Sequence, residues 1–156
     1  MIIVFIGQPH SGKTTLAAHI QTELFLLHGR SYPVVDGDEI RRIFQNKDFS
    51  REGRIKNLNR ISDIATFLVD KYNIVLVSAV YPIKEAREYL ESIYQDVYWV
   101  YLTYDEARGR EAFHVKDYEM PADDVKNLIT INTSEHGIES CIEKVLSFCG
   151  QISKPS

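Results

Sequence analysis

Gly7-Gln8-Pro9-His10-Ser11-Gly12-Lys13-Thr14 is the stretch on which the fold turns. It satisfies G-x-x-x-x-G-K-[ST] in full, and the spacing has a chemical reason. The glycines let the backbone fold tightly, so that successive N–H groups point inward at a phosphate. The helix that follows adds partial positive charge at its N-terminus. Lys13 is placed to reach β- and γ-oxygens, and the Thr14 hydroxyl to bind Mg²⁺. The pattern is functional only between a buried strand and a helix. Residues 2–6, IIVFI, supply the strand, an unbroken apolar run suited to a parallel sheet covered on both faces. Residues 16–28 supply the helix, with Gly29 as its C-terminal cap. Gly7, Pro9, His10, Ser11, Gly12, Lys13, Thr14 and Thr15 are therefore the candidate ATP contacts, His10 facing either solvent or the γ-phosphate.

Outward from the loop, the same alternation continues. Residues 33–35 read as a short strand ending at Asp36, and residues 39–45 and 51–72 as helices, the second capped by Ser50. Strands are expected at 74–78, 97–102 and 128–131, and helices at 83–94 and 136–148. Five short apolar strands alternating with helices imply an α/β fold of three layers, a doubly wound, mostly parallel five-stranded sheet flanked by helices. Residues 1–150 form one P-loop kinase domain in this reading, with an irregular, charged lid region at about 105–126 and a flexible tail at 151–156.

Composition narrows the partners. Eighteen basic and 22 acidic side chains give a formal net charge of -4, which argues against general nucleic-acid binding. No apolar run approaches the ~18 residues that cross a bilayer, and residues 1–7 are too short for a signal peptide, so a cytoplasmic location without membrane contact is expected. Cys141 and Cys149, eight apart on a predicted helix, read as two reduced thiols. Nine tyrosines leave room for an aromatic interface, with a homodimer held open.

Asp36-Gly37-Asp38 stands at the carboxyl end of the second strand, where open α/β sheets bind ligands. Two carboxylates there can divide metal and base roles, the alternative being that Asp38 caps the following helix. Arg54 and Asn57 share one helical face, and Arg41 lies a turn after Asp38; together they suit a phosphate or sulfate, against the plainer reading of solvated surface. Phe49, just before a helix, is either a core staple or a platform for a base. Arg108, Arg110 and Lys116 are placed to close onto a triphosphate, or else to face water. Arg87 reads as a surface residue near the acceptor side, and His114 and His136 as ordinary residues.

Three segments, D-G-D-E-I-R-R (36–42), D-F-S-R-E-G-R-I-K-N-L-N-R-I (48–61) and A-V-Y-P-I-K-E-A-R (79–87), resemble the adenylylsulfate kinase family, whose pattern runs Asp-Gly-Asp-Asn-x-Arg, Gly-Phe-Ser, Arg-Glu-Glu-Asn-x-Arg-Arg, then an Ile-Ser-Pro-Tyr turn. The likeness covers about residues 2–108 and returns at Tyr118-Glu119-x-Pro121. It implies a small-molecule nucleotide acceptor in sulfate assimilation. Lys13 and Thr14 would serve ATP and Mg²⁺, with Asp36 near the metal-bound waters or the acceptor and, with Lys13 and Asp38, among the catalytic residues. Asp38 would orient or deprotonate the acceptor's 3′-hydroxyl. Arg41, Arg54 and Asn57 would grip its phosphosulfate, and Phe49 would stack on its adenine.

The departures are specific. Tyr81 replaces the serine of the family's turn, Asp48 replaces the glycine before Phe49, and Ile55-Lys56 precede Asn57. The lid is shorter by about a dozen residues, with Arg108 matching the family's lid arginine and Phe113 its second stacking ring, and Phe113 and Lys116 are candidate acceptor contacts. Three functions follow for testing: a 3′-kinase of adenylylsulfate, a kinase of the same architecture with another nucleotide-like or small anionic acceptor, and a nucleotide-binding NTPase module with no transfer activity.

Overall fold

A computed structural model describes residues 1–105 and 114–151. Its strands are β1 (Ile2–Ile6), β2 (Val34–Asp36), β3 (Val75–Ser78), β4 (Val97–Thr103) and β5 (Leu128–Asn132). Its helices are α1 (Lys13–His28), α2 (Gly37–Ile43), α3 (Arg51–Tyr72), α4 (Lys84–Ile93) and α5 (Ile138–Phe148). The strands form one sheet in the order β2-β3-β1-β4-β5, and every pairing is parallel, so the expected "mostly parallel" sheet is parallel throughout.

β1 shows why an unbroken apolar run belongs at the centre. Alternate side chains of a strand point to opposite faces, so both sets must be apolar when both faces are covered. Ile2, Val4 and Ile6 enter one core with residues of α3 and α4, whereas Ile3 and Phe5 enter the other with α1 and α5. This places two helical layers around the sheet. The chain runs from β1 outward to β2 on one side and later from β3 across β1 to β4 on the other. Ligands of open α/β sheets bind at the carboxyl ends of the strands near such a reversal.

Helix boundaries agree with expectation to within a few residues. α1 begins at Lys13 rather than residue 16, because Lys13, Thr14 and Thr15 already turn helically though no apolar residue marks them. Its buried residues Lys13, Leu16, Ala17, Ile20 and Leu24 follow helical spacing, and the Gly29 N–H donates to the Phe25 carbonyl. α2 starts at Gly37, two residues early, since its N-cap is Asp36 and not Asp38. The Asp36 carboxylate accepts from the N–H groups of Asp38 and Glu39. Ser50 caps α3 as expected, its hydroxyl accepting from the Gly53 N–H at 3.2 Å. Cys141 and Cys149 are both free and buried. No helix among the described residues is long and apolar enough to cross a membrane.

Candidate active site

The carboxyl ends of β1, β2 and β3 open into a cleft of about 670 Å³. One end is the phosphate loop. Gly7 has φ 144, and a Cβ there would lie 2.5 Å from the Leu102 carbonyl oxygen, so only glycine lets the chain leave β1 against β4. Pro9, His10, Gly12, Lys13, Thr14 and Thr15 line this end, with His10 exposed and in a left-handed conformation, φ 66. Gly7 and Ser11 are buried beneath the loop.

Lys13 is 8% exposed. Its ammonium donates to the Gln8 carbonyl at 2.8 Å and to the Ser11 hydroxyl at 3.4 Å, so it is held inside the loop. Burial lowers its pKa to about 8, and the carboxylates of Asp38 and Asp36 oppose the shift. A desolvated cation of this kind gains most when a polyanion enters beside it.

The Thr14 hydroxyl lies 3.3 Å from Asp36 Oδ2 and 3.2 Å from Ser78 Oγ. β2 and β3 pair Asp36 directly with Ser78, which is what brings these oxygens together. Three hard oxygen donors at the loop's first helical turn fit Mg²⁺, which favours oxygen ligands and keeps part of its water shell. Ser78 was not singled out from the sequence. Its signal was its place as the last residue of a buried strand at the ligand-binding edge.

The other end of the cleft is built from side chains. Asp38, exposed in the first turn of α2, stands between the two ends, and Arg41, Phe49, Arg54 and Asn57 line the far wall. Phe49 is 61% exposed, which excludes the core-staple reading. The Arg41 guanidinium lies 4.2 Å from its ring centroid and that of Arg54 5.7 Å. Arg41 is also tied to the loop before α3, donating to Asn46 and to the Asp48 carbonyl at 3.0–3.2 Å. Arg54 Nε donates to the Phe49 carbonyl at 2.9 Å. Asn57 is 4% exposed; its Nδ2 donates to the Gly37 carbonyl, and its Oδ1 is buried with no hydrogen-bond partner among the described residues.

The wall between the ends is the turn at residues 79–82. Tyr81 adopts φ 46, and its hydroxyl is buried against Ser62 Oγ at 2.9 Å, with its ring edge-on to Trp99. Arg87 corrects the sequence reading. It is 6% exposed, and its Nη1 donates to the Tyr81 carbonyl at 2.7 Å, so it braces the turn from below instead of facing water. Burial lowers its pKa from the usual guanidinium value.

Residues 114–119 strap this wall to the phosphate loop. The Gln8 side-chain amide pairs with both backbone groups of Val115, donating to its carbonyl at 3.0 Å and accepting from its N–H at 2.8 Å. The Tyr104 hydroxyl reaches both the Pro9 carbonyl and His114. Tyr118 donates to the Val80 carbonyl, the Glu119 N–H to the Pro82 carbonyl, and Arg51 pairs with the Glu119 carboxylate at 3.0 Å. Lys116 is exposed on this strap and does not line the cleft. Arg108, Arg110 and Phe113 lie outside the described residues.

A parallel sheet in this order, a phosphate loop after its central strand and a second polar wall facing that loop define a P-loop kinase. The comparisons then fix the family. The adenylylsulphate kinase family model matches residues 1–118. An adenylyl-sulfate kinase of Thermodesulfovibrio yellowstonii is 36% identical over 96 residues, which span 61% of this chain and 48% of that protein. One from Clostridium kluyveri is 27% identical over 95% of this chain and 82% of its own length. Among solved structures, an APS kinase of Mycobacterium tuberculosis superposes with a TM-score of 0.75 at 26% identity, covering 96% of both chains. The chain belongs to the adenylylsulfate kinase family.

Proposed function

We propose that this protein transfers the γ-phosphoryl group of ATP to the 3′-hydroxyl of adenylylsulfate. The observation that carries the reading is a single cleft with Lys13 and the phosphate loop at one end, Phe49, Arg41, Arg54 and Asn57 at the other, and Asp38 between them. The family match and the names of its relatives point to the same reaction.

In this reading the loop amides and Lys13 hold the β- and γ-phosphates. Thr14 Oγ1 and the Asp36 carboxylate, with Ser78 beside them, would hold Mg²⁺, which when bound offsets negative charge on the phosphates. The adenine of the acceptor lies against the exposed Phe49 ring, and the forks of Arg54 and Arg41 face its phosphosulfate. Asn57, on the same wall of the cleft, stands beside them for the phosphosulfate. Asp38 accepts the proton of the 3′-hydroxyl as its oxygen bonds to the γ-phosphorus. The bond from that phosphorus to the β,γ-bridging oxygen breaks, and ADP leaves. Catalysis is thus mainly positioning and charge stabilisation. A cytoplasmic location, where ATP is at hand, and a homodimeric assembly belong to the same proposal.

The test is ATP consumption by the purified protein with Mg²⁺ against a panel of sulfated and phosphorylated nucleotides. Adenylylsulfate should stimulate turnover far above background. Stimulation by another acceptor alone would move the assignment to a different kinase of this architecture, and equal turnover without any acceptor would leave an NTPase.

A further inference from the structure

Gly53 sits in the first turn of α3, where alanine is the better helix former. A Cβ added there would lie 2.3 Å from the Asp48 carbonyl oxygen, 2.4 Å from its Cγ and 2.6 Å from its Cβ. These are backbone and the root of a short side chain, so the clash has no flexible end to absorb it. The chain at Asp48 therefore rests directly on the bare Cα of Gly53.

That seat is the base of a small knot. The Asp48 N–H donates to Asn46 Oδ1, and Asp48 Oδ1 accepts from the Ser50 N–H, both at 2.9 Å. Asn46 Nδ2 donates to the Gly53 carbonyl at 3.0 Å, closing the loop onto the helix. Arg41 enters from α2 to the Asp48 carbonyl, and Arg54 from α3 to the Phe49 carbonyl. Phe49 is thus the exposed apex of a loop whose footing is Asp48 on Gly53.

We propose that Asp48 and Gly53 act as a matched pair of positioning residues: the missing side chain at 53 makes room for the carboxylate-bearing turn at 48, and the fit sets where Phe49 stands between Arg41 and Arg54. Neither residue lines the cleft. The proposal rests on the reading of Phe49 and Arg54 as acceptor contacts, but its structural half stands apart from that reading.

Gly53→Ala should raise the KM for adenylylsulfate about tenfold or more, within the roughly 10²-fold that a 1 Å misplacement of a positioning element can cost. The KM for ATP and the affinity for a non-hydrolysable ATP analogue should stay within about twofold, because the phosphate loop is untouched. Adding Asp48→Gly should recover much of the loss, since a glycine at 48 removes Cβ and Cγ and lets the peptide turn aside. A crystal structure of Gly53→Ala should show the Phe49 ring moved from its place beside the two guanidinium groups. An unmoved ring, an unchanged acceptor KM in a wild-type enzyme that uses adenylylsulfate, or a double variant no better than Gly53→Ala would overturn the pairing. Loss of ATP-analogue binding in Gly53→Ala would do the same, since the damage would then reach beyond this turn. Failure of the wild-type protein to use adenylylsulfate would instead remove the functional reading, and the displaced ring would still decide the structural half.

Discussion

The two ends of the cleft are made of different material. At the loop, the proposed contacts are backbone amides and one buried lysine, held by a central strand and by glycine geometry at residue 7. At the far wall, an exposed aromatic ring and two arginines are held by a knot of side-chain hydrogen bonds between α2 and α3. The first arrangement is rigid and local, and it suits a triphosphate common to many kinases. The second depends on several separated residues meeting, and on the proposed reading it serves the acceptor.

Substitutions can separate the ends. The largest effect is expected from Lys13→Ala, which removes the buried cation proposed to face the transferred group: turnover should fall by roughly 10³-fold in a coupled ADP-release assay. Full activity would remove the loop from the mechanism. Asp38→Ala should lower kcat by about 10²–10³-fold while the binding of an ATP analogue, measured by calorimetry, holds. An unchanged kcat would return Asp38 to the solvated first turn of α2. Arg54→Ala should raise the acceptor KM by roughly 10- to 100-fold, the loss of a charge-assisted bond, and leave the KM for ATP alone. If both constants rose together, the two ends would not be distinct.

Titration gives the smallest and most selective effect. Lys13 carries its charge below its lowered pKa of about 8 and loses it above. In the free enzyme, kcat/KM for ATP should therefore fall as pH rises past 8, by about tenfold per unit at the limit. A bound triphosphate favours the charged form, so the same limb in kcat should move to higher pH. A flat profile to pH 10 would mean that burial does not govern Lys13.

The two ends also differ in how far the sequence disclosed them. The loop is contiguous, and its eight residues stand in the order their chemistry requires, so strand, turn and helix were readable together. Ser50 as a cap was equally local. The far wall was readable only as scattered candidates. That Asp36, rather than Asp38, caps α2 depends on how the strand ends. That Arg87 is buried beneath Tyr81 depends on a turn with φ 46, which no helical spacing reveals. Ser78 meets Thr14 through strand register, and Gln8 grips Val115 across 107 residues of chain. Such contacts follow from sheet order and strand register, which local periodicity does not specify.

Phosphorus NMR of a wild-type reaction containing ATP, Mg²⁺ and adenylylsulfate tests the division of labour most directly. The expected spectrum gains ADP and a new phosphomonoester coupled to the ribose 3′ proton, in equal amounts. ADP accompanied only by inorganic phosphate, or ATP left intact, would contradict it.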